Sequence, residues 1–143
     1  MNISRRKNGF SLVSLMITIV IIGIVAKLGY STFTEQVRRG KIVNGLSALV
    51  SYTTRLEGYY LRSTSYGGTA CSAVLPAATD GFTFDCVVSG NGHAFTATAT
   101  GTGSVDGFVY TLDQVGIKRT FKFMGVVLPD PVPTCWWIKQ GAC

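Results

Sequence analysis

The sequence has one histidine, His93, and seven acidic residues scattered along its length. No two carboxylates are spaced for paired general acid and base work, and His93, beside a glycine-rich turn signal, reads as a solvated loop residue. There is no Gly-x-Ser-x-Gly, no Walker loop and no dinucleotide fingerprint, and Gly101-Thr102-Gly103 lacks the strand-to-helix setting that a phosphate loop requires. These absences speak against an enzyme, and nothing calls for a cofactor or a metal. Cysteine is missing before Cys71, and the four present, Cys71, Cys86, Cys135 and Cys143, include no Cys-x-x-Cys pair. An even number of widely spaced cysteines behind a membrane-targeting start favours disulfides over a metal site. Four cysteines allow three connectivities; neighbours in sequence point to Cys71–Cys86 and Cys135–Cys143 without deciding the pairing.

Charge is absent over the 17 residues from Phe10 to Ala26. As helix they span roughly 26 Å, nearly a bilayer core, and Lys27 snorkels from the far end to the headgroups. Arg5, Arg6 and Lys7 hold the leader on the cytoplasmic side, which places the rest of the chain where disulfides persist. The 13 Lys and Arg against 7 Asp and Glu give a net charge of +6, but removal of residues 1–9 leaves 10 against 7. That mild excess is a weak argument for a polyanion partner. A secretory signal would need a small-residue cleavage site after the apolar run, and Ile24-Val25-Ala26-Lys27 is a poor one. A plain membrane anchor stays open on composition.

A third reading comes from resemblance. Arg5-Arg6-Lys7-Asn8-Gly9 before Phe10-Ser11-Leu12-Val13, followed by an apolar helix with Ile21-Ile22-Gly23-Ile24, resembles the N-terminal signature of type IV pilins and pseudopilins. The resemblance implies that a prepilin peptidase cuts between Gly9 and Phe10 and methylates the new amino terminus on Phe10. The apolar helix is then retained, as an anchor in the membrane and later as packing surface in a filament. In most of that family the fifth mature residue is glutamate; here it is Ser14. A carboxylate in the bilayer costs several kcal/mol unless paired, and its partner is taken to be the terminal amine of a neighbouring subunit. A serine bonds to its own helix and offers no such pairing, which points to a place near the filament tip, where no subunit above needs neutralising.

Beyond Lys27 the helical pattern continues. Ile42, Leu46, Leu49, Leu56 and Tyr60 recur at helical spacing, with Thr53 filling the gap, opposite Arg38, Arg39, Lys41, Ser51 and Arg55. A helix of about 50 residues runs near 75 Å, so its first half must protrude and its second half must lie on something. Gly29, Gly40 and Gly45 weaken it locally, and Ser31 stands where the family often has a proline. Residues 63–81 read as a Ser/Thr/Gly-rich loop. Phe82–Val88, Ala94–Thr100, Phe108–Leu112 and Ile117–Phe123 then read as strands, the first pair joined through Ser89-Gly90-Asn91-Gly92. In the fourth, Lys and Arg alternate with Phe, as on a strand with one solvated face. Short connections imply an antiparallel meander, and its buried face needs the helix as cover. The expected fold is therefore α+β, a long N-terminal helix on an antiparallel four-stranded sheet, divided into a leader (1–9), a transmembrane half (10–31) and a head (32–143).

The order of helix, Tyr59-Tyr60, loop, meander and Cys135-Trp136-Trp137 with a final Cys143 is similar to type IVa pilin-like proteins. In that family a C-terminal disulfide closes a surface loop, here Cys135 to Cys143. The resemblance implies a structural minor subunit of a type IV pilus with other pilins, the prepilin peptidase and the inner-membrane assembly platform as partners. It would be a single-pass inner-membrane protein with a periplasmic head before assembly, and extracellular after it. A pseudopilin of type II secretion is the alternative in the same architecture; pseudopilins commonly bind calcium near the C-terminus, and no Asp-rich loop appears here. A DNA-binding minor pilin is the alternative from another class. For it, Lys118, Arg119, Lys122 and Lys139, near Trp136 and Trp137 in sequence, are the candidate contacts, since cations among aromatics bind nucleic acid. Against it stands a solvated strand face with the Trp pair packed under the C-terminal loop.

Overall fold

The computed structural model describes residues 11–143. The cleavage and methylation candidates Gly9 and Phe10 lie outside the described residues, as do the surroundings of Gly29 and Ser31. One helix, α1 (Leu12–Ser63), is followed by β1 (Phe82–Ser89), β2 (Ala94–Gly101), β3 (Val109–Asp113), β4 (Lys118–Phe123) and β5 (Val126–Val127). The chain forms two compact units, Met1–Gln36 and Val37–Cys143.

In the first unit, residues 12–27 of the helix are exposed throughout. Ile, Val and Leu there have no protein to pack on, as expected of a segment whose solvent is lipid or other copies of itself. The hydroxyl of Thr18 donates to the carbonyl of Ser14 at 2.8 Å, so this polar group is satisfied within the helix.

In the second unit the remainder of α1 packs on the sheet. Ile42, Leu46, Leu49 and Leu56 are buried, as their spacing predicts, but the gap in the stripe is filled by Tyr52, fully buried, and not by Thr53. The Tyr52 ring reaches the core while its hydroxyl donates to Ala73 O at 3.3 Å. The five strands form an antiparallel meander in the order β1-β2-β3-β4-β5. Inward residues alternate with outward ones in the first two strands: Phe82, Cys86 and Val88 face Phe95, Ala97 and Ala99 in the core, while Thr83, Val87, Thr96 and Thr100 are exposed. The turn between them is a short 3-10 segment in which Asn91 adopts φ 55, a conformation asparagine tolerates better than most residues.

Two features extend beyond the four strands expected. The two-residue β5 pairs Lys122 with Val127 and Phe123 with Val126, a ladder too short to leave a periodicity. The inner face also has a second cover, because the C-terminal segment packs Trp136 and Trp137 against the core beside the helix. Disulfides join Cys71 to Cys86 and Cys135 to Cys143, each with 5.6 Å between Cα atoms, a separation usual for disulfides.

Gly45 has a structural role beyond weakening the helix. A Cβ built there would lie 2.8 Å from Phe82 Cγ, and Phe82 is fully buried, whereas one on Gly40 meets nothing within 4 Å. The two glycines should therefore respond to alanine with opposite signs. Gly40→Ala is expected to stabilise the head by up to about 1 kcal/mol through helix propensity, and Gly45→Ala to destabilise it by about 1–3 kcal/mol through overpacking. Thermal unfolding of the detergent-solubilised chain checks both; equal shifts would show that the helix does not approach Phe82 this closely.

Candidate nucleic-acid interface

The four candidate cations do not form one patch. Residues directly opposite in an antiparallel ladder share a face, and Lys118 stands opposite the buried Leu112, whereas Arg119 stands opposite Thr111 and Lys122 opposite Val109. Lys118 belongs to the inner-face row at the rim of the core; Arg119 and Lys122 belong to the outer face. The expected alternation along β4 fails because the register shifts between Val109 and Tyr110, leaving Phe121 without an opposite residue in β3. A bulge of this kind admits one extra residue and resets the alternation.

Each cation has its own setting. The Lys118 ammonium lies 4.9 Å from the centroid of the Trp136 ring, a cation–π contact worth about 0.5–1 kcal/mol at an exposed site. The Trp136 indole N–H donates to Thr111 O at 3.0 Å, so this tryptophan is fixed in place. Arg119 Nη1 pairs with Asp113 Oδ2 at 2.9 Å. The other carboxylate oxygen of Asp113 accepts from the backbone N–H groups of Val115 and Ile117 at 3.2 and 2.8 Å. That pair braces the β3–β4 turn and commits part of the guanidinium. Lys139 is exposed within the loop closed by Cys135–Cys143, where Ala142 N donates to Lys139 O at 3.0 Å.

The C-terminal loop is held to β4 by buried polar contacts that sequence reasoning missed. Thr120 is fully buried; its hydroxyl donates to Cys135 O at 2.7 Å and accepts from Trp137 N at 2.8 Å. Tyr110, also fully buried, donates its hydroxyl to Trp137 O at 2.7 Å, and burial pushes its pKa up, so it stays a donor through the physiological range. Trp137 meets Phe123 edge to face, 5.9 Å between centroids. The Trp pair thus packs under the C-terminal loop, and Lys118 and Lys139 are presented around it. A threonine at a buried strand position is the one signal that could have shown this, since a buried hydroxyl must find partners.

At the other end of the sheet the loop after α1 meets the β1–β2 turn. Tyr66 N donates to Gly92 O at 2.8 Å and Val88 N to Thr69 O at 3.2 Å, leaving a cleft of about 540 Å³ lined by Gly67–Thr69 and Val87–Gly92. The Tyr60 ring stacks on Tyr66 with 4.5 Å between centroids, and its hydroxyl lies 3.1 Å from His93 Nδ1. Tyr66 donates to Glu57 Oε1 at 2.9 Å, and burial together with that hydrogen bond pushes its pKa up to about 12. His93 is exposed in its turn, as its position in the sequence predicts, and reaches the helix end only through this contact with Tyr60. Among the described residues, no group of three or more His, Cys, Asp or Glu is placed to hold a metal ion.

The family model of the type IV minor pilin ComP, DNA uptake sequence receptor, matches residues 31–108 of this chain, more than half of it. The model of the prokaryotic N-terminal methylation motif matches residues 4–26. Among solved structures, a type IV pilin from Shewanella oneidensis is similar at 19% identity, covering 57% of this chain and 89% of that chain with a TM-score of 0.49. No curated protein matches. The first match takes in the second half of the helix, the loop with the cleft and the first two strands, and ends before β4 and the C-terminal loop. With the methylation motif ahead of it and an α+β fold of long helix and antiparallel sheet around it, this chain belongs to the family of the type IV minor pilin ComP, the DNA uptake sequence receptor.

Proposed function

We propose that this minor pilin carries DNA binding on its head, engaging duplex DNA through the cations around β4 and the C-terminal loop. The observation that carries the reading is the match over residues 31–108 to a family described as a DNA uptake sequence receptor. A head with more basic than acidic side chains, and Lys118 held upright on Trp136, support it. Cations that neutralise phosphates give sequence-independent, salt-sensitive affinity. Lys118→Ala with Lys122→Ala should weaken retention of a duplex by the full-length protein in detergent, and should lower the salt slope by about 0.9 per lost phosphate contact. Unchanged retention by the double variant would rule out these lysines.

We infer a course of processing and assembly that begins at the leader. Prepilin peptidase cuts between Gly9 and Phe10 and methylates Phe10. The protein then waits in the inner membrane with its head in the periplasm, passes to the assembly platform and ends in the extracellular filament. Support comes from the methylation motif over residues 4–26 and the exposed apolar run of the helix. Ser14, which offers a neighbouring subunit no carboxylate, supports a position near the filament tip. Immunogold labelling of a tagged copy should then mark filament ends, and label along the whole shaft would exclude that position.

A further inference from the structure

The outward face of the sheet carries an aromatic ring that the fold does not use. Phe121 is the extra residue of the β4 bulge and is 49% exposed. Thr120 and Phe123 are both buried although three residues apart, which a regular strand does not permit. The bulge therefore turns Phe121 and Lys122 outward side by side. Arg119 shares this face through its pairing with Thr111. From these cations two rows cross the sheet: Lys122, Val109, Thr100 and Thr83, and Arg119, Thr111, Thr98 and Asp85. At about 4.8 Å between strands, each row extends roughly 14 Å. Thr83, Thr96 and Thr100 are exposed, so no other described element covers this part of the face.

An exposed ring beside cations on a hydroxyl-lined sheet face has a specific chemical complement. Unpaired bases stack on aromatic side chains whatever their identity, while cations neutralise the adjoining phosphates. Sheets that present several such rings accept two or three bases of a single strand, and the one ring here offers a place for one. Threonine hydroxyls both donate and accept, which suits sugar and base-edge atoms. A duplex, whose bases are stacked on one another, presents no free ring face to Phe121. Asp113 is held by Arg119 and Asp85 lies at the far end of its row, so the positive field is concentrated on the β4 side, beside the ring.

We propose that the outward face of the sheet, centred on Phe121 with Lys122 and Arg119 beside it, is a stacking platform for single-stranded DNA. This deepens the nucleic-acid reading above and rests on DNA being the ligand. The test is fluorescence anisotropy of the full-length protein in detergent, at low salt, with a labelled oligothymidine and with a mixed-sequence duplex of equal length. The parent should bind both. Phe121→Ala should weaken oligothymidine binding about tenfold, the scale of one stacked base, and leave duplex binding and the thermal midpoint unchanged. Phe121→Trp should restore binding, whereas Phe121→Leu, which keeps apolar area without a ring, should not. Oligothymidine affinity that is the same in parent, Ala and Leu variants overturns the platform. A parent that binds duplex and not oligothymidine overturns the platform alone. One that binds oligothymidine through Phe121 and not duplex supports the platform and overturns the duplex reading, and one that binds neither overturns both.

Discussion

Thr120→Val is expected to destabilise the head by roughly 1–5 kcal/mol, although the two side chains have nearly the same shape. The hydroxyl serves two backbone groups at once, donating to Cys135 O and accepting from Trp137 N. Its removal takes a partner from the half-buried Cys135 carbonyl and Trp137 N–H, and each such group costs up to about 1–3 kcal/mol. The hydrophobic gain from the added methyl is smaller than this sum, about 0.8 kcal/mol. Thermal unfolding should show the loss, and amide exchange should show faster exchange at Trp137, because the C-terminal loop is released from β4. Thr96→Val, on the exposed face of β2, is the control and should fall within about 0.5 kcal/mol of the parent. If Thr120→Val is as stable as its control, the buried hydroxyl is not what fixes the loop. The proposed interface would change with it, since Lys139 sits in that loop and Lys118 rests on Trp136 beside it.

Replacing Cys71 and Cys86 together by alanine should cost about 3 kcal/mol, the chain-entropy value for a loop of their separation, 15 residues. The Cys135–Cys143 bridge closes a separation of 8, and loop length alone makes the two nearly equal, because each doubling is worth only about 0.6 kcal/mol. Their surroundings separate them. Cys86 is 4% exposed within the core, and Cys71 ties down the loop whose Ala70 bridges to Val87 at the β1 edge. Cys143 is exposed at the chain end. Loss of the first bridge should therefore lower the midpoint and open the 67–92 cleft, whereas loss of the second should free mainly the C-terminal loop. Equal midpoints for the two double variants would contradict this ranking, and peptide mapping under non-reducing conditions tests the pairing itself.

Much of the fold is written in local pattern. The uncharged run from Phe10, the helical spacing of Ile42, Leu46, Leu49 and Leu56, and the alternation in β1 and β2 each repeat a period long enough to read. What escaped are features with no period. Tyr52 occupies the stripe in place of Thr53 because an aromatic ring reaches further into a core than its helical angle implies, carrying its hydroxyl to a loop carbonyl. The two-residue β5 depends on Gly125 N donating to Gly107 O at 2.9 Å, a contact between turns 18 residues apart. The bulge at Phe121 is equally silent in sequence: Lys118 to Phe123 looks like plain alternation, and the extra residue appears only when the strand is laid against β3.

The candidate interface was legible as composition and illegible as geometry. Lys118, Arg119, Lys122, Trp136 and Trp137 are close in sequence, and the structure does bring β4 and the C-terminal segment together. It then distributes the cations, with Lys118 on Trp136, Arg119 on Asp113 and Lys122 beside Phe121 on the other face. By itself the sequence determined a long apolar helix, a meander and an N-terminal methylation motif, because apolar runs, strand alternation and short motifs are all read along the chain. Only the tertiary structure decided which face each cation serves and what pins the C-terminal loop. Facing is set by register across strands, and buried hydrogen bonds join residues that no local pattern relates.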